Sequence, residues 1–435
     1  MTSRPTSECF VYIALPHAVA PVAAGRFVLE SGAGGGALGR FVYGRSYLQN
    51  PHAVDIDPIE LKLSQATYQT SRLNGVFGAL RDAGPDYWGR RIIEKRAGKT
   101  ILGELDYLLE SPGDRAGALG FGLSRVPPAP LRKFNRTLDL EKLQQIAEAL
   151  VRDEIPATPR AAPPGAAQID AAPIDAPQIQ DLLLLGTSMG GARPKAVIED
   201  AGALWVAKFA RRDDRWNYAR VEHAMLRLAR QCGIDAAESR VESIAGKDAI
   251  LIRRFDRDKT PRGYTRSRMI SALTALRADE AADTRDRWSY VLLAEELRRF
   301  VSKPKEDARE LFRRMCFNAL ISNLDDHPRN HAFLAVDQDW RLSPAYDLTP
   351  SPVVGQDRRD LAMECGDQGR LANAANLLSQ HARFLLEREE AQAIVDRMRV
   401  QVEKTWRRAV RACGVSTHDA ETIRSAFVYP GFSRA

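Results

Sequence analysis

At 435 residues the chain is too long for one hydrophobic core and calls for two or three packed units. Hydrophobic residues make up 44% and charged residues 27%, the balance of a soluble globular protein. The net charge of +7 permits an anionic partner such as a nucleotide or nucleic acid without demanding one, and no run of five or six like charges occurs.

The five cysteines, Cys9, Cys232, Cys316, Cys365 and Cys413, are odd in number and scattered, with no CxxC pair. That pattern argues against a disulfide framework or a zinc site and for a reducing compartment. MTSRPTSECF lacks the apolar core of a signal peptide, and runs such as LLLLG at 182–186 are too short to span a membrane. The expectation is a soluble, cytoplasmic protein without a membrane partner.

In chain order, FVYIAL reads as a strand. The Gly-rich SGAGGGALG at 31–39 then leads into RFVYGRSYL, which predicts a hairpin with glycines at its turn. PDYWGRRIIEKR at 85–96 places a proline at the start of a basic amphipathic helix. LEKLQQIAEALV at 140–151 sets Leu140, Leu143, Ile146 and Leu150 on one helical face. PATPRAAPPGAAQIDAAPIDAP at 156–177 is nearly all Pro, Ala and small residues; it cannot build a core and reads as a linker or exposed loop. The domain reading is therefore an N-terminal α+β subdomain over 1–155, a linker over 156–179, a small β-rich part over 180–258 and a helical lobe over 259–435.

Past the linker, LLLLGTSMGGARPKAVIED gives an apolar start, a Gly-rich turn and a strand, and ALWVAKFA gives a second strand. RVEHAMLRLARQCGI is an amphipathic helix with Val221, Met225, Leu228 and Ala229 on one face and Gly233 as its stop. DAILIRRFDR at 248–257 is a further strand, and helices dominate from about 286.

Four features in this half can carry chemistry. GTSMGGARPKA at 186–196 departs from a Walker loop, because Ala192 and Arg193 stand where Lys and Ser/Thr belong. Its glycines still let backbone N–H groups approach phosphate, beside Arg193 and Lys195; the plain alternative is an ordinary hairpin turn. Lys208 lies in an apolar strand with Glu222 on the following helix, the lysine–glutamate arrangement by which protein kinases hold nucleotide phosphates; alternatively it is a solvated edge lysine. In SNLDDHPRNHAFL at 322–334, Asp325 and Asn330 have the Asp-x-x-x-x-Asn spacing of a kinase catalytic loop, and a polar helix–strand connector is the competing reading. Asp347 in SPAYDLTPS follows HAFLAVDQDWRL, read as a hairpin turning at Asp337–Asp339, so it returns toward Asn330. An aspartate beside an amide oxygen is a hard-oxygen Mg²⁺ site, and the alternative is a turn aspartate capping its own backbone. The order of these parts is that of a kinase.

With these motifs in place, the sequence resembles the HipA-like serine/threonine kinase toxins of bacterial toxin–antitoxin pairs. GVFGALRDAGPDYWGRRIIEKRAG (75–98) and DRAGALGFG (114–122) are similar to the family's N-terminal subdomain. GTSMGGARPKAVI, WVAKF, LIRRFDRD, LFRRMCFNALISNLDDHPRNHAFL and WRLSPAYDLTPSP are similar to its kinase core. The resemblance implies a two-lobed protein-kinase-like α+β fold with a mostly helical C-terminal lobe. It implies Asp325 as catalytic base, Asn330 and Asp347 as Mg²⁺ ligands and catalytic residues, and Lys208 and His327 at the phosphates of ATP. Gly190, Gly191, Ala192, Arg193, Pro194 and Lys195 would face the phosphates. Arg253, Arg254 and Phe255 would pass the adenine, and Ser188 would be autophosphorylated.

The implied partners are a helix-turn-helix antitoxin, DNA through that antitoxin only, and a protein substrate, an aminoacyl-tRNA synthetase in some family members. Asp326 departs from the family, where a small residue separates the catalytic Asp from the His; its charge would repel phosphate unless paired, with Arg329 as the suggested partner. SRMISALTALR at 267–277 lacks acidic and glutamine residues that some relatives carry. Two alternatives stay open, a small-molecule kinase on the same core and an inactive DNA-binding co-repressor acting with the antitoxin.

Overall fold

The computed structural model describes residues 7–31, 36–98, 102–131, 133–151, 191, 193–280, 282–353, 355 and 357–433. The expected linker, and with it Ser188, Gly190 and Ala192 of the Gly-rich turn, lies outside the described residues.

Five strands form the first sheet: β1 (Glu8–Ala14), β2 (Pro21–Ser31), β3 (Ala37–Tyr43), β4 (Thr67–Thr70) and β5 (Leu119–Gly122). Their order is β4-β3-β2-β1-β5, antiparallel throughout. The glycine-rich stretch does join two paired strands, with Ser31 opposite Ala37. Alternation buries Val11, Ile13, Phe27 and Phe41 completely on the inner face.

The second sheet has the order β6-β7-β8-β10-β9, with β6 (Asn135–Arg136), β7 (Lys195–Asp200), β8 (Ala203–Lys208), β9 (Ser239–Ile244) and β10 (Lys247–Arg253). Only β6 and β7 run parallel. Two hairpins close on two-residue turns, Ala201-Gly202 and Ala245-Gly246, in which both residues take positive φ. Such turns match the right-handed strand twist, and glycine at the second position removes the strain of that backbone.

The faces of this sheet have different fates. Trp205, Ala207 and Leu251 pack with Trp88 and Ile92 of the Tyr87–Ala97 helix and with Leu143, Ile146 and Leu150 of the Leu140–Val151 helix. N-terminal chain thus supplies one wall of the small lobe. The Tyr87–Ala97 helix starts on Asp86, whose carboxylate accepts from the Gly89 N–H, so Pro85 stands just outside it. On the other face Ile250 and Ile252 share a core with Val221, Met225 and Leu228 of the Tyr218–Gln231 helix, all three fully buried.

The remainder is mostly helical, built on Tyr290–Leu297, Pro304–Leu320 and Arg388–Ala412. Pro304 occupies the first turn of its helix with Glu306 and Asp307, where a missing N–H costs nothing and negative charge meets the helix dipole. Two small antiparallel sheets complete the fold, β11 (Arg257–Thr260) with β12 (Gly263–Arg266), and β13 (Arg268–Ser271), β14 (Ala332–Ala335) and β15 (Arg341–Leu342) in that order. Among the described residues no helix is long and apolar enough to cross a membrane.

A buried ion cluster fastens the N-terminal part to the rest. Arg254 bonds Asp114 at 2.6 Å, Asp256 at 2.9 Å and the Arg115 carbonyl at 2.8 Å. Arg257 bonds Asp256 at 2.8 Å and Asp114 at 3.2 Å, and Asp256 accepts from the Gly117 N–H at 2.8 Å. Two guanidiniums balance two carboxylates, and every one of the four side chains is at most 1% exposed. Burial alone would raise the Asp256 pKa, but Arg254 and Arg257 overcome it and hold the carboxyl well below its usual range.

A group depressed in the folded state stabilises fully above its unfolded pKa of about 3.9, and that contribution drains away as pH falls from there. Asp256→Asn is therefore expected to lower Tm at pH 7 and to flatten the fall of Tm between about pH 4 and 2. Thermal melts across that range decide; acid limbs of equal slope in variant and parent would remove Asp256 from the account.

Candidate active site

The sheets meet the helical lobe at a cleft, and four local structures bring its polar groups together. The first is β8. Period-two alternation puts Leu204, Val206 and Lys208 on the face opposite Trp205 and Ala207. Lys208 lies directly across from Lys195 of β7, so two ammoniums stand side by side, and each needs an anion. Lys195 finds Asp86 at 2.5 Å, with Gly191 O at 3.1 Å, and is 1% exposed. Lys208 donates to Glu222 and to Asp347, each at 2.7 Å.

The second is the Tyr218–Gln231 helix, which presents Glu222 one turn in from its Asn217 cap. The third is the loop after the Pro304–Leu320 helix. Ser322, in left-handed backbone with φ 49°, turns the chain out of the helix, and its hydroxyl donates to Ala426 O at 2.7 Å. Asp325 is exposed into the cleft. Asn330 donates its amide N–H to Asp325 O at 3.1 Å, which leaves Oδ1 buried and without a hydrogen-bond partner.

The fourth is the chain after β15. Phe333 pairs with Leu342 and Leu334 with Arg341, so the expected hairpin forms. Tyr346 then donates to Arg329 O at 2.6 Å and Ser351 N–H to Ser322 O at 2.9 Å, zipping this segment to the loop. Asp347 sits between them at φ 59°, a left-handed conformation that Asp tolerates better than most residues.

Charge in the Lys208 triad is one ammonium between two carboxylates. Burial opposes the Lys208 cation, but Asp347 and Glu222 outweigh it and raise its pKa above the ordinary lysine value. Burial would raise Asp347 too; Lys208, with smaller help from His327, holds it below the usual carboxylate range. Glu222 shifts upward, because burial is only partly offset by Lys208 and Asp347 adds repulsion.

Asp326 does not line the cleft and does not pair with Arg329. It points inward, 1% exposed, where it accepts from Asn318 at 2.7 Å and from Tyr290 and contacts His331 Nε2 at 2.8 Å. Arg329 instead meets Glu280 and Asp82.

Other sequence-predicted residues divide likewise. Gly191, Arg193 and Lys195 line the cleft, but Arg193 is held by Asp214 in a two-pronged contact, one arm 3.0 Å long, and lies 4.0 Å over the Tyr218 ring. Pro194 contributes its carbonyl to Phe209 N–H at 3.0 Å. Arg253 borders a small pocket beside the cleft, lined also by Lys195, Val206, Lys208, Ile252, Tyr346 and Asp347. Arg254 must be struck from the nucleotide contacts, since the buried ion cluster uses its guanidinium fully. Phe255 packs on Tyr346 at 5.6 Å, and half-buried His327 lies edge-on to Trp288 at 6.3 Å.

Sequence reasoning missed Asp86, Asp214, Arg215, Trp216 and Asn323. The cluster FARRDDRWN directly after the strand lysine was the available signal for the middle three.

The family described as HipA-like C-terminal domain matches residues 187–406, half of the chain, a span that contains every residue lining the cleft. The chain belongs to the HipA-like family. A kinase-named protein of Haemophilus influenzae is 30% identical over 31% of this chain and 42% of that protein. A kinase-named protein of Sinorhizobium fredii, Y4mE, is 25% identical over 35% of this chain and 37% of that one. The match thus spans about two fifths of these relatives' length. The fold is similar to that of a chain in the solved complex of HipA, HipB and operator DNA from Shewanella oneidensis MR-1, with a TM-score of 0.65 at 16% identity. That likeness covers 96% of this chain and 94% of the other. The HipA-like chain has a protein-kinase-like fold of mixed helices and sheets.

Lys208→Met leaves buried Glu222 without its counter-charge, and breaking such a pair costs about 3–5 kcal/mol. The urea midpoint is expected to fall accordingly, and adding Glu222→Leu should restore part of the loss. A variant with parental stability would mean that the pair carries no charge.

Proposed function

We propose that the protein is an ATP- and Mg²⁺-dependent serine/threonine protein kinase that acts as the toxin of a toxin–antitoxin pair. The observation that carries this reading is the convergence of Lys208, Glu222, Asp347, Asp325 and Asn330 on one cleft in a protein-kinase-like fold. In this reading Asp325, exposed and without an ion-pair partner among the described residues, accepts or orients the proton of the substrate hydroxyl. Lys208 positions the phosphates. Arg253, Ile252 and Tyr346 border a small pocket that adjoins Lys208 and Asp347, on the side where this reading puts the base.

The donor set fits Mg²⁺. Asn330 Oδ1 is a buried, unpartnered oxygen, and Asp347 supplies a carboxylate to the same cleft. Bound there, the ion would neutralise charge on the transferring phosphoryl group. Asp325 holds the proton, Asn330 Nδ2 fixes the loop and Lys208 orients Asp347.

The Shewanella oneidensis neighbour was solved with HipB and operator DNA, which supports an antitoxin partner here, with DNA engaged through that partner. Ser188 is the proposed autophosphorylation site; a dianion in the Gly-rich turn would favour a different loop position and switch the enzyme off.

The test is incubation of lysate with γ-labelled ATP and either parent or Asp325→Asn. Label is expected in protein bands with the parent and a loss of about 10²–10⁴-fold with the variant. Label confined to small molecules favours a metabolite kinase. Equal growth arrest by parent and variant on overexpression would overturn phosphoryl transfer as the toxic act and favour the co-repressor.

A further inference from the structure

Cations lining the cleft among the described residues are Arg193, Lys195, Lys208 and Arg215. Three are spoken for: Arg193 by Asp214, Lys195 by Asp86, and Lys208 by Glu222 and Asp347. Arg215 alone of the four has no hydrogen bond or ion pair among the described residues, and it is exposed at the cleft wall.

Its backbone is nonetheless fixed. On one side Asp214 accepts from the Arg211 N–H at 2.8 Å while gripping Arg193. On the other, Trp216 is 8% exposed and stacks on Tyr218 at 4.6 Å. A pinned backbone carrying a free guanidinium into a polar cleft is a partly preorganised anion contact: the main chain is already ordered, and only the side chain has still to settle on the ligand.

We infer that Arg215 binds the terminal phosphates of the nucleoside triphosphate and stabilises the phosphoryl group as it transfers. This inference rests on the kinase reading and adds a residue to it. Arg193 and Lys195, the cations of the Gly-rich turn, are structural in this arrangement: they hold the wall and the N-terminal helix start. Arg215 takes over the role they were expected to fill. No carboxylate forms an ion pair with it among the described residues, so its N–H groups are available to an incoming phosphate.

The experiment compares Mg·ATP with adenosine, which fills the base site but carries no phosphate. Binding of both to parent, Arg215→Ala and Arg215→Lys is measured by titration calorimetry, with kcat and KM for ATP in the labelling assay. Arg215→Ala is expected to weaken Mg·ATP at least tenfold and to lower kcat/KM about 10²-fold, with adenosine affinity unchanged. Arg215→Lys should regain part of the binding, since charge returns without the two-pronged geometry. Equal weakening of ATP and adenosine would show a merely structural role and overturn the assignment, as would Arg215→Ala matching the parent for ATP. A parent that binds no Mg·ATP would bring down the kinase reading itself and this assignment with it.

Discussion

One ammonium shared by two carboxylates holds this site together. Lys208 reaches Glu222 on the helix that follows its own strand and Asp347 on the far side of the cleft. The three groups come from a strand, a helix and a loop of the other lobe, so the contact fixes the distance across the cleft. A buried ion group of this kind contributes little net stability, because desolvation offsets most of the attraction. What it sets is geometry: Asp347 stays in left-handed backbone at φ 59° with its carboxylate toward Lys208. Backbone in such regions persists only where its surroundings over-determine it, and here Tyr346 and Ser351 tie down both flanks.

Beneath the loop lies a second constraint, made by a residue that looked out of place. Asp325 and Asp326 are neighbours with opposite surroundings, one exposed to the cleft and one buried. A second carboxylate at the phosphates would repel them, yet Asp326 turns inward to Asn318, Tyr290 and His331. These partners lie on two helices and on the start of the β14 segment, so one buried anion ties three elements to the loop that carries Asp325. A buried charge is tolerable when donors satisfy it this fully.

Local pattern made much of this legible. The helix faces with Leu143 and Ile146, and with Val221 and Met225, follow from a period of 3.6 residues, and both are buried as spacing requires. The Asp325–Asn330 and Lys208–Glu222 spacings were legible for the same reason, since each lies within one strand–helix or helix–loop unit. What escaped depends on distance along the chain. Lys195 meets Asp86 across 109 residues, and Arg254 meets Asp114 across 140. No local pattern marks which cation will be neutralised by a carboxylate that far away. That is why Lys195 and Arg254 read as ligand contacts and turn out to be ion-paired, whereas the partner of Arg193, Asp214, lies only 21 residues on. Asp326 misled for the converse reason: in sequence it is a charge in a polar loop, and only the packing of Tyr290 and Asn318 shows it facing inward.

The charge balance of the cleft bears on what can enter it. Four cations, Arg193, Lys195, Lys208 and Arg215, stand with five carboxylates, Asp86, Asp214, Glu222, Asp347 and Asp325, so the site nets one negative charge. The net charge gives a bare polyphosphate no long-range attraction to such a site. In the proposed reading, one that arrives with a divalent cation would meet Asp347 and the unpartnered Oδ1 of Asn330 with its metal and the guanidinium of Arg215 with its oxygens. Pairing three of the four cations internally has a further consequence. The resting cleft exposes little uncompensated positive charge, so a nonspecific anion would find no strong hold, and selectivity would favour a ligand that satisfies both signs at once.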